Sequence, residues 1–266
     1  MKKDIFAAIL CFIAVMTAVS CDKKLEHSEF NEFELTDPDG TVRRGGIYLP
    51  QGMSTKAKYP VIIMEDGLVF KEAGFKHLVD SLIEVEAISP VIIACSFENK
   101  MTIPGYKMSY RNAEFIESLA RTDSNLQKLF DTHYSYFKDT FIPYIINNYP
   151  VSADVADRIY FGTSNSADFG ITLGMRETDM FSEYWCYSPV YSDVSGYGAL
   201  DHKVNYRICW GSKEEAGMSD YFQTLIKDIR KRGGNVYSWV FNGGHDRKLW
   251  KYWFKEELQR RFPYKD

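Results

Sequence analysis

Ser164 stands in Gly162-Thr163-Ser164-Asn165-Ser166, directly after the apolar run Ile159-Tyr160-Phe161 and before a stretch with helical spacing. A serine between small residues, at a tight turn from strand to helix, can be presented as a nucleophile near a helix N-terminus. Small neighbours are needed because the strand and helix pass close together. Glycine is usual two residues after such a serine. Ser166 stands there instead, which puts the tightness of the turn in question. A serine hydroxyl attacks a carbonyl only when a base takes its proton. Of the five histidines, His27 falls in a charged N-terminal stretch, His77 and His133 precede the serine, and His202 lies in a polar loop. His245, in Asn242-Gly243-Gly244-His245-Asp246, follows the last apolar run and precedes the last helical pattern. The order serine, acid, histidine then asks for an acid just beyond Arg207-Ile208-Cys209-Trp210. Glu214 has that place, with Glu215 as its neighbouring competitor. A developing oxyanion needs two backbone N–H groups. Asn165 follows the serine, and Leu68 follows Val61-Ile62-Ile63-Met64-Glu65-Asp66-Gly67.

These residues need a frame. Phe30 to Thr36 and Val42 to Leu49 flank a Pro38-Asp39-Gly40 turn and predict two paired strands. Tyr59 to Met64 and Pro90 to Ser96 are continuous apolar runs, as strands buried on both faces are. Further strands are expected at 158–161, 183–187, 207–210 and 236–241. Helices are expected at 75–86, 126–149 (with Pro143 kinking or restarting it), 167–176, 219–232 and 248–261. Residues 97–124 are expected to form a long irregular loop. Alternating strands and helices predict a mostly parallel sheet covered on both faces, with an antiparallel N-terminal edge.

The chain has 266 residues, 45% of them hydrophobic, and a formal net charge of −4, so one well-filled core is expected. No basic stripe is present, which argues against a nucleic-acid partner. Lys2 and Lys3 precede an apolar run from Ile5 to Val19, and Ala18-Val19-Ser20-Cys21 closes it. This is the layout of a secretory signal over 1–20. The small residues before Cys21 resemble a bacterial lipobox, which implies cleavage before Cys21, lipidation of its thiol and an anchor on a bacterial membrane. Residues 21–29 then read as a lipidated tether and 30–266 as one domain. Cys95, Cys186 and Cys209 sit in apolar runs and are expected to be buried thiols. No spacing suggests a metal site, and no cofactor is expected.

Tyr59-Pro60-Val61-Ile62-Ile63-Met64-Glu65-Asp66-Gly67, Arg111-Asn112-Ala113-Glu114-Phe115, the glycine-serine turn and Gly243-Gly244-His245-Asp246 with Trp250 soon after resemble the esterase D / enterochelin esterase family over Phe30 to Phe262. The resemblance implies an α/β-hydrolase fold, a three-layer αβα sandwich. It implies Ser164, His245 and Glu214 as triad and Leu68 and Asn165 as oxyanion donors. It also puts Arg111, steadied by Glu114, near the substrate; Asp66 and Trp210 are further expected substrate contacts. Trp185, Tyr187, Trp210 and Trp250 are rings near predicted strand or loop ends, where a sugar or feruloyl group could stack, although most of them are expected to belong to the core. The expected reaction is hydrolysis of an ester, carbohydrate-linked (feruloyl or acetyl) or siderophore, through an acyl-enzyme. The alternative is a catalytically weak binding protein on the same scaffold at the cell envelope.

Overall fold

The apolar runs become the strands of one sheet. A computed structural model describes residues 24–265 apart from Pro38 and Thr55. The expected signal segment and Cys21 lie outside the described residues. The strands are β1 (Glu29–Thr36), β2 (Val42–Leu49), β3 (Val61–Met64), β4 (Ile92–Ser96), β5 (Arg158–Thr163), β6 (Glu183–Tyr187), β7 (Asn205–Gly211) and β8 (Asn235–Phe241). They lie in the order β1-β2-β4-β3-β5-β6-β7-β8. The β1–β2 and β2–β4 pairs are antiparallel and the remaining pairs parallel. The helices are α1 (Gly67–Glu72), α2 (Phe75–Glu84), α3 (Tyr110–Phe115), α4 (Glu117–Ala120), α5 (Ser124–Ser135), α6 (Ile142–Asn148), α7 (Asn165–Arg176), α8 (Met218–Lys231) and α9 (Arg247–Arg261).

Successive residues of a strand point to opposite faces, and the core divides accordingly. Ile63, Tyr160, Cys186 and Ile208 join one apolar cluster with Phe130 of α5, Leu173 of α7 and Phe222 of α8. Ile62, Phe161, Tyr187 and Cys209 join the other with Phe70 of α1, Val79 of α2 and Phe254 of α9. The result is the three-layer α/β sandwich expected. Cys95, Cys186 and Cys209 are free and buried on β4, β6 and β7.

Three segments differ from the sequence-based expectation. Residues 97–124 contain α3 and α4, short helices packed against α5. The helix expected over 126–149 carries a π-helical turn at Tyr136–Phe141, after which α6 begins with Pro143 in its first turn, the restart that the proline was expected to cause. The charged stretch expected to tether as far as residue 29 is already docked at Leu25, whose N–H donates to the Met53 carbonyl at 2.9 Å.

A buried ionic network ties the antiparallel edge to the loop after β3. The Arg43 guanidinium of β2 donates to Asp37 at 2.7 Å and to Glu114 of α3 at 2.9 Å. It also lies 3.1 Å from Nδ1 of His133 on α5, whose Nε2 lies 2.9 Å from the Glu65 carboxylate. Donation from Arg43 to Nδ1 requires the tautomer in which Nε2–H donates to Glu65. Asp37, Glu114, His133 and Glu65 are all buried. Arg43→Ala would leave two carboxylates buried without their cation, and is expected to destabilise the fold by about 3–5 kcal/mol. Urea unfolding measures this; a loss below about 1 kcal/mol would show that water replaces the guanidinium.

Candidate active site

Ser164 has φ 57° and ψ −127°, a conformation that L-residues seldom adopt, at the junction of β5 and α7. The turn is held from three sides. A Cβ on Gly162 would lie 2.4 Å from the Ser166 carbonyl oxygen, so only glycine fits there. The Ser164 N–H donates to the Tyr187 carbonyl of β6 at 2.9 Å. The Ser166 hydroxyl, fully buried, accepts the Thr163 N–H at 2.9 Å and donates to the Thr163 carbonyl at 2.8 Å. The serine that replaces the usual glycine thus staples the turn shut rather than loosening it.

His245 reaches Ser164 from the loop between β8 and α9, with Nε2 2.9 Å from Oγ. That loop is pressed against the end of β7. The Lys213 N–H donates to the Gly243 carbonyl at 2.7 Å, and a Cβ on Gly211 would lie 2.2 Å from the same oxygen. Asp246 caps α9 by accepting the Lys248 N–H at 2.7 Å. The imidazole stands edge-on to Trp250, 4.6 Å between centroids at 86°.

Glu214 lies behind the histidine, its Oε2 3.3 Å from His245 Nδ1. Its Oε1 accepts the Ser188 hydroxyl at 2.6 Å and the Gly211 N–H at 2.9 Å. The Trp250 indole N–H in turn donates to the Ser188 oxygen at 3.0 Å. Burial works to raise the Glu214 pKa, but the donors His245, Ser188 and Gly211 outweigh it and hold the carboxyl below the usual range. Glu215 is exposed and makes no side-chain hydrogen bond among the described residues.

Asn165 opens α7, so its N–H has no carbonyl one turn back in the helix. The Leu68 N–H lies 3.4 Å from a Glu98 carboxylate oxygen, a long contact. Asp66, left-handed at φ 58°, grips Arg111 through two parallel hydrogen bonds from the guanidinium.

Two expected substrate contacts are corrected. Glu114 does not steady Arg111: it is committed to Arg43, 71 positions away in sequence, and Asp66 takes its place. Trp210 faces the core, buried and stacked on Phe222 of α8 at 4.8 Å, because the inward face of β7 lies under that helix. Trp185 and Tyr187 are also fully buried.

Two cavities meet at Ser164, His245 and Arg111. One, about 350 Å³, is polar and lined also by Asp66, Glu98, Lys100, Arg247 and Trp250. The other, about 510 Å³, is lined also by Val190, Tyr191, Met218 and Glu215. The loop bearing Val190 and Tyr191 is pinned by Asp168 of α7, whose carboxylate accepts their two N–H groups at 3.1 and 3.0 Å and the Ser192 hydroxyl at 2.6 Å. Sequence reasoning overlooked Asp168 and Ser188. A buried aspartate within the apolar spacing of α7 was the available signal for the first; nothing local marks the second.

Burial raises the Asp168 pKa from 3.8 to about 6, against the opposing pull of those donors. A carboxyl that binds its proton more tightly when folded contributes stability present below pH ~4, which is lost as pH rises through about 6 and is constant above. The shift corresponds to about 3 kcal/mol. The stability of wild type relative to Asp168→Asn is therefore expected to fall by up to that amount between pH 4 and 7. Chemical denaturation at several pH values measures it, and parallel pH dependences would refute it.

The comparisons fit this architecture. The family described as "Putative esterase" matches residues 40–228, and the chain belongs to that family. A ferulic acid esterase structure aligns with TM-score 0.66 at 18% identity, over 90% of this chain and 98% of that one. S-formylglutathione hydrolase from Staphylococcus aureus aligns with TM-score 0.61 at 10% identity, over 91% and 99%. The enterobactin esterase from Shigella flexneri aligns with TM-score 0.64 at 13% identity, over 87% of this chain and 58% of that one. No curated protein matches the sequence. The fold is that of the α/β-hydrolase esterases, and the protein is an esterase.

Proposed function

We propose that this esterase cleaves carboxylic esters with a Ser164–His245–Glu214 triad through an acyl-enzyme. The observation that carries the reading is the strained Ser164 with its Oγ 2.9 Å from His245 Nε2. His245 takes the Ser164 proton as Oγ attacks the ester carbonyl, and Glu214 holds Nδ1–H and stabilises the imidazolium. The oxyanion forms against the Asn165 and Leu68 amides, with the long Glu98 contact giving way to it. His245 then returns the proton to the departing alkoxide. A water activated by the same imidazole releases the acid. Hydrolysis of p-nitrophenyl acetate and covalent labelling of Ser164 by a fluorophosphonate test this. A protein that neither turns over the ester nor labels at Ser164 would end the proposal.

The substrate we favour is a carbohydrate-linked feruloyl or acetyl ester, or a siderophore ester. The polar cavity suits a hydroxylated partner, and the similar structures include a ferulic acid esterase and an enterobactin esterase. Relative kcat/KM on feruloyl, acetyl-xylan and enterobactin-type esters decides between them. The apolar run ending at Cys21 supports export with a lipid anchor to a bacterial membrane. Fractionation of Cys21→Ala is the check; equal membrane association of the variant and wild type would exclude the anchor.

A further inference from the structure

The polar cavity beside Ser164 carries five ionic side chains: Asp66, Glu98, Lys100, Arg111 and Arg247. Four of them are matched in pairs. Asp66 is held by both guanidinium arms of Arg111, and Glu98 lies 2.8 Å from the Lys100 ammonium. Arg247 is left over. It lines the cavity, is exposed, and its guanidinium makes no hydrogen bond or ion pair among the described residues. The nearest acid in sequence, Asp246, is turned to the Lys248 N–H as the cap of α9. Among these five groups one positive charge is therefore uncompensated, on a planar donor fork suited to carboxylate and phosphate oxygens. The second cavity differs in kind. Its wall offers Val190, Tyr191 and Met218, and Glu215 is its exposed acid. An ester lying across Ser164 thus meets a mixed wall on one side, where Asn112 and Glu215 stand beside Val190 and Met218, and an unpaired cation on the other.

We propose that Arg247 is a specificity-determining residue that binds an anionic group, a carboxylate or phosphate, carried by the ester that Ser164 attacks. The inference rests on the esterase reading of Ser164 and goes beyond it by fixing the charge of one half of the substrate. A surface arginine is ordinarily just solvated. What sets this one apart is its place on the wall of the cavity that holds the reacting atoms, with every other ionic group there already matched.

The test compares charged esters with neutral counterparts of similar shape. Para-acetoxybenzoate and para-acetoxyphenyl phosphate carry the anion on the alcohol side, with the methyl ester of the former as neutral partner. Monophenyl succinate carries it on the acyl side, with methyl phenyl succinate as partner. The readout is the ratio of kcat/KM for the charged and neutral members of a pair. Intrinsic reactivity cancels when that ratio is compared between variants. Arg247→Gln should lower the ratio roughly tenfold or more for at least one pair, and Arg247→Lys should lower it less. The pair that responds tells which half carries the anion, and the two alcohol-side anions separate carboxylate from phosphate. Lys248→Gln, which removes a neighbouring charge outside the cavity lining, should leave the ratio in place. In wild type the ratio for the responding pair should fall as salt is added. A ratio unchanged in Arg247→Gln for every pair, or lowered equally by Lys248→Gln, overturns the proposal. The esterase mechanism is judged separately, by the loss of neutral-ester cleavage in Ser164→Ala.

Discussion

Ser164→Ala and His245→Ala are each expected to lower kcat on a simple ester by about a millionfold, and the double variant by hardly more. The reason lies in how the two atoms share one task. In the proposed mechanism the imidazole, 2.9 Å from Oγ, accepts the proton as the Oγ–C bond forms. Without the base, the hydroxyl is too weak a nucleophile; without the hydroxyl, the base has nothing to activate except water. The effects of such a unit do not add. On the proposed mechanism, what survives in either variant is the rate supplied by the Asn165 and Leu68 amides and by binding, roughly 10³–10⁴-fold over water. Stopped assays on the purified variants, with a fluorophosphonate to exclude contaminating hydrolases, give the numbers. Losses that multiply in the double variant would mean that Ser164 and His245 act in separate steps, and would break the mechanism.

Much of this site was legible in the sequence because its parts are local. Ser164, Asn165 and Ser166 fall together at one strand–helix turn, and His245 follows a terminal strand whose pattern is plain. Strands buried on both faces, such as β3 and β4, announce themselves as unbroken apolar runs. Those same runs hide which way each side chain points, and that is how Trp210 came to be expected at the substrate rather than under α8. The helices α3 and α4 are six and four residues long. At that length, packing rather than periodicity makes a helix. A reciprocal cap between Ser109 and Asn112 starts α3, but asparagine in place of Glu or Gln weakens that signal. Ion-pair partners were the least legible of all. Arg111 with Asp66 and Arg43 with Glu114 join residues 45 and 71 positions apart, and charge alone does not choose between nearby acids.

Glu214→Gln is expected to lower kcat by about 10⁴, whereas Glu215→Gln should cost at most about tenfold. The difference follows from hydrogen-bond bookkeeping at one carboxylate. Glu214 Oε1 accepts from Gly211 N–H and from Ser188, and Oε2 faces His245 Nδ1. Glutamine has a single acceptor oxygen, and the two fixed donors claim it. Its amide N–H₂ must then face Nδ1. That forces the imidazole proton onto Nε2, where it points at Ser164 and can accept nothing. Glu215, exposed on the rim of the second cavity, holds no such donor. The depressed pKa of Glu214 adds a second signature. A carboxyl held below its ordinary range contributes stability above its unfolded pKa, and that contribution disappears as pH falls through the folded value. Glu214→Gln should therefore be less stable than wild type near neutrality, and the gap should close in acid. Activity measured beside unfolding midpoints separates the tautomer effect from simple destabilisation. If Glu215→Gln suffers the larger loss while Glu214→Gln keeps wild-type activity, the acid of the triad is Glu215.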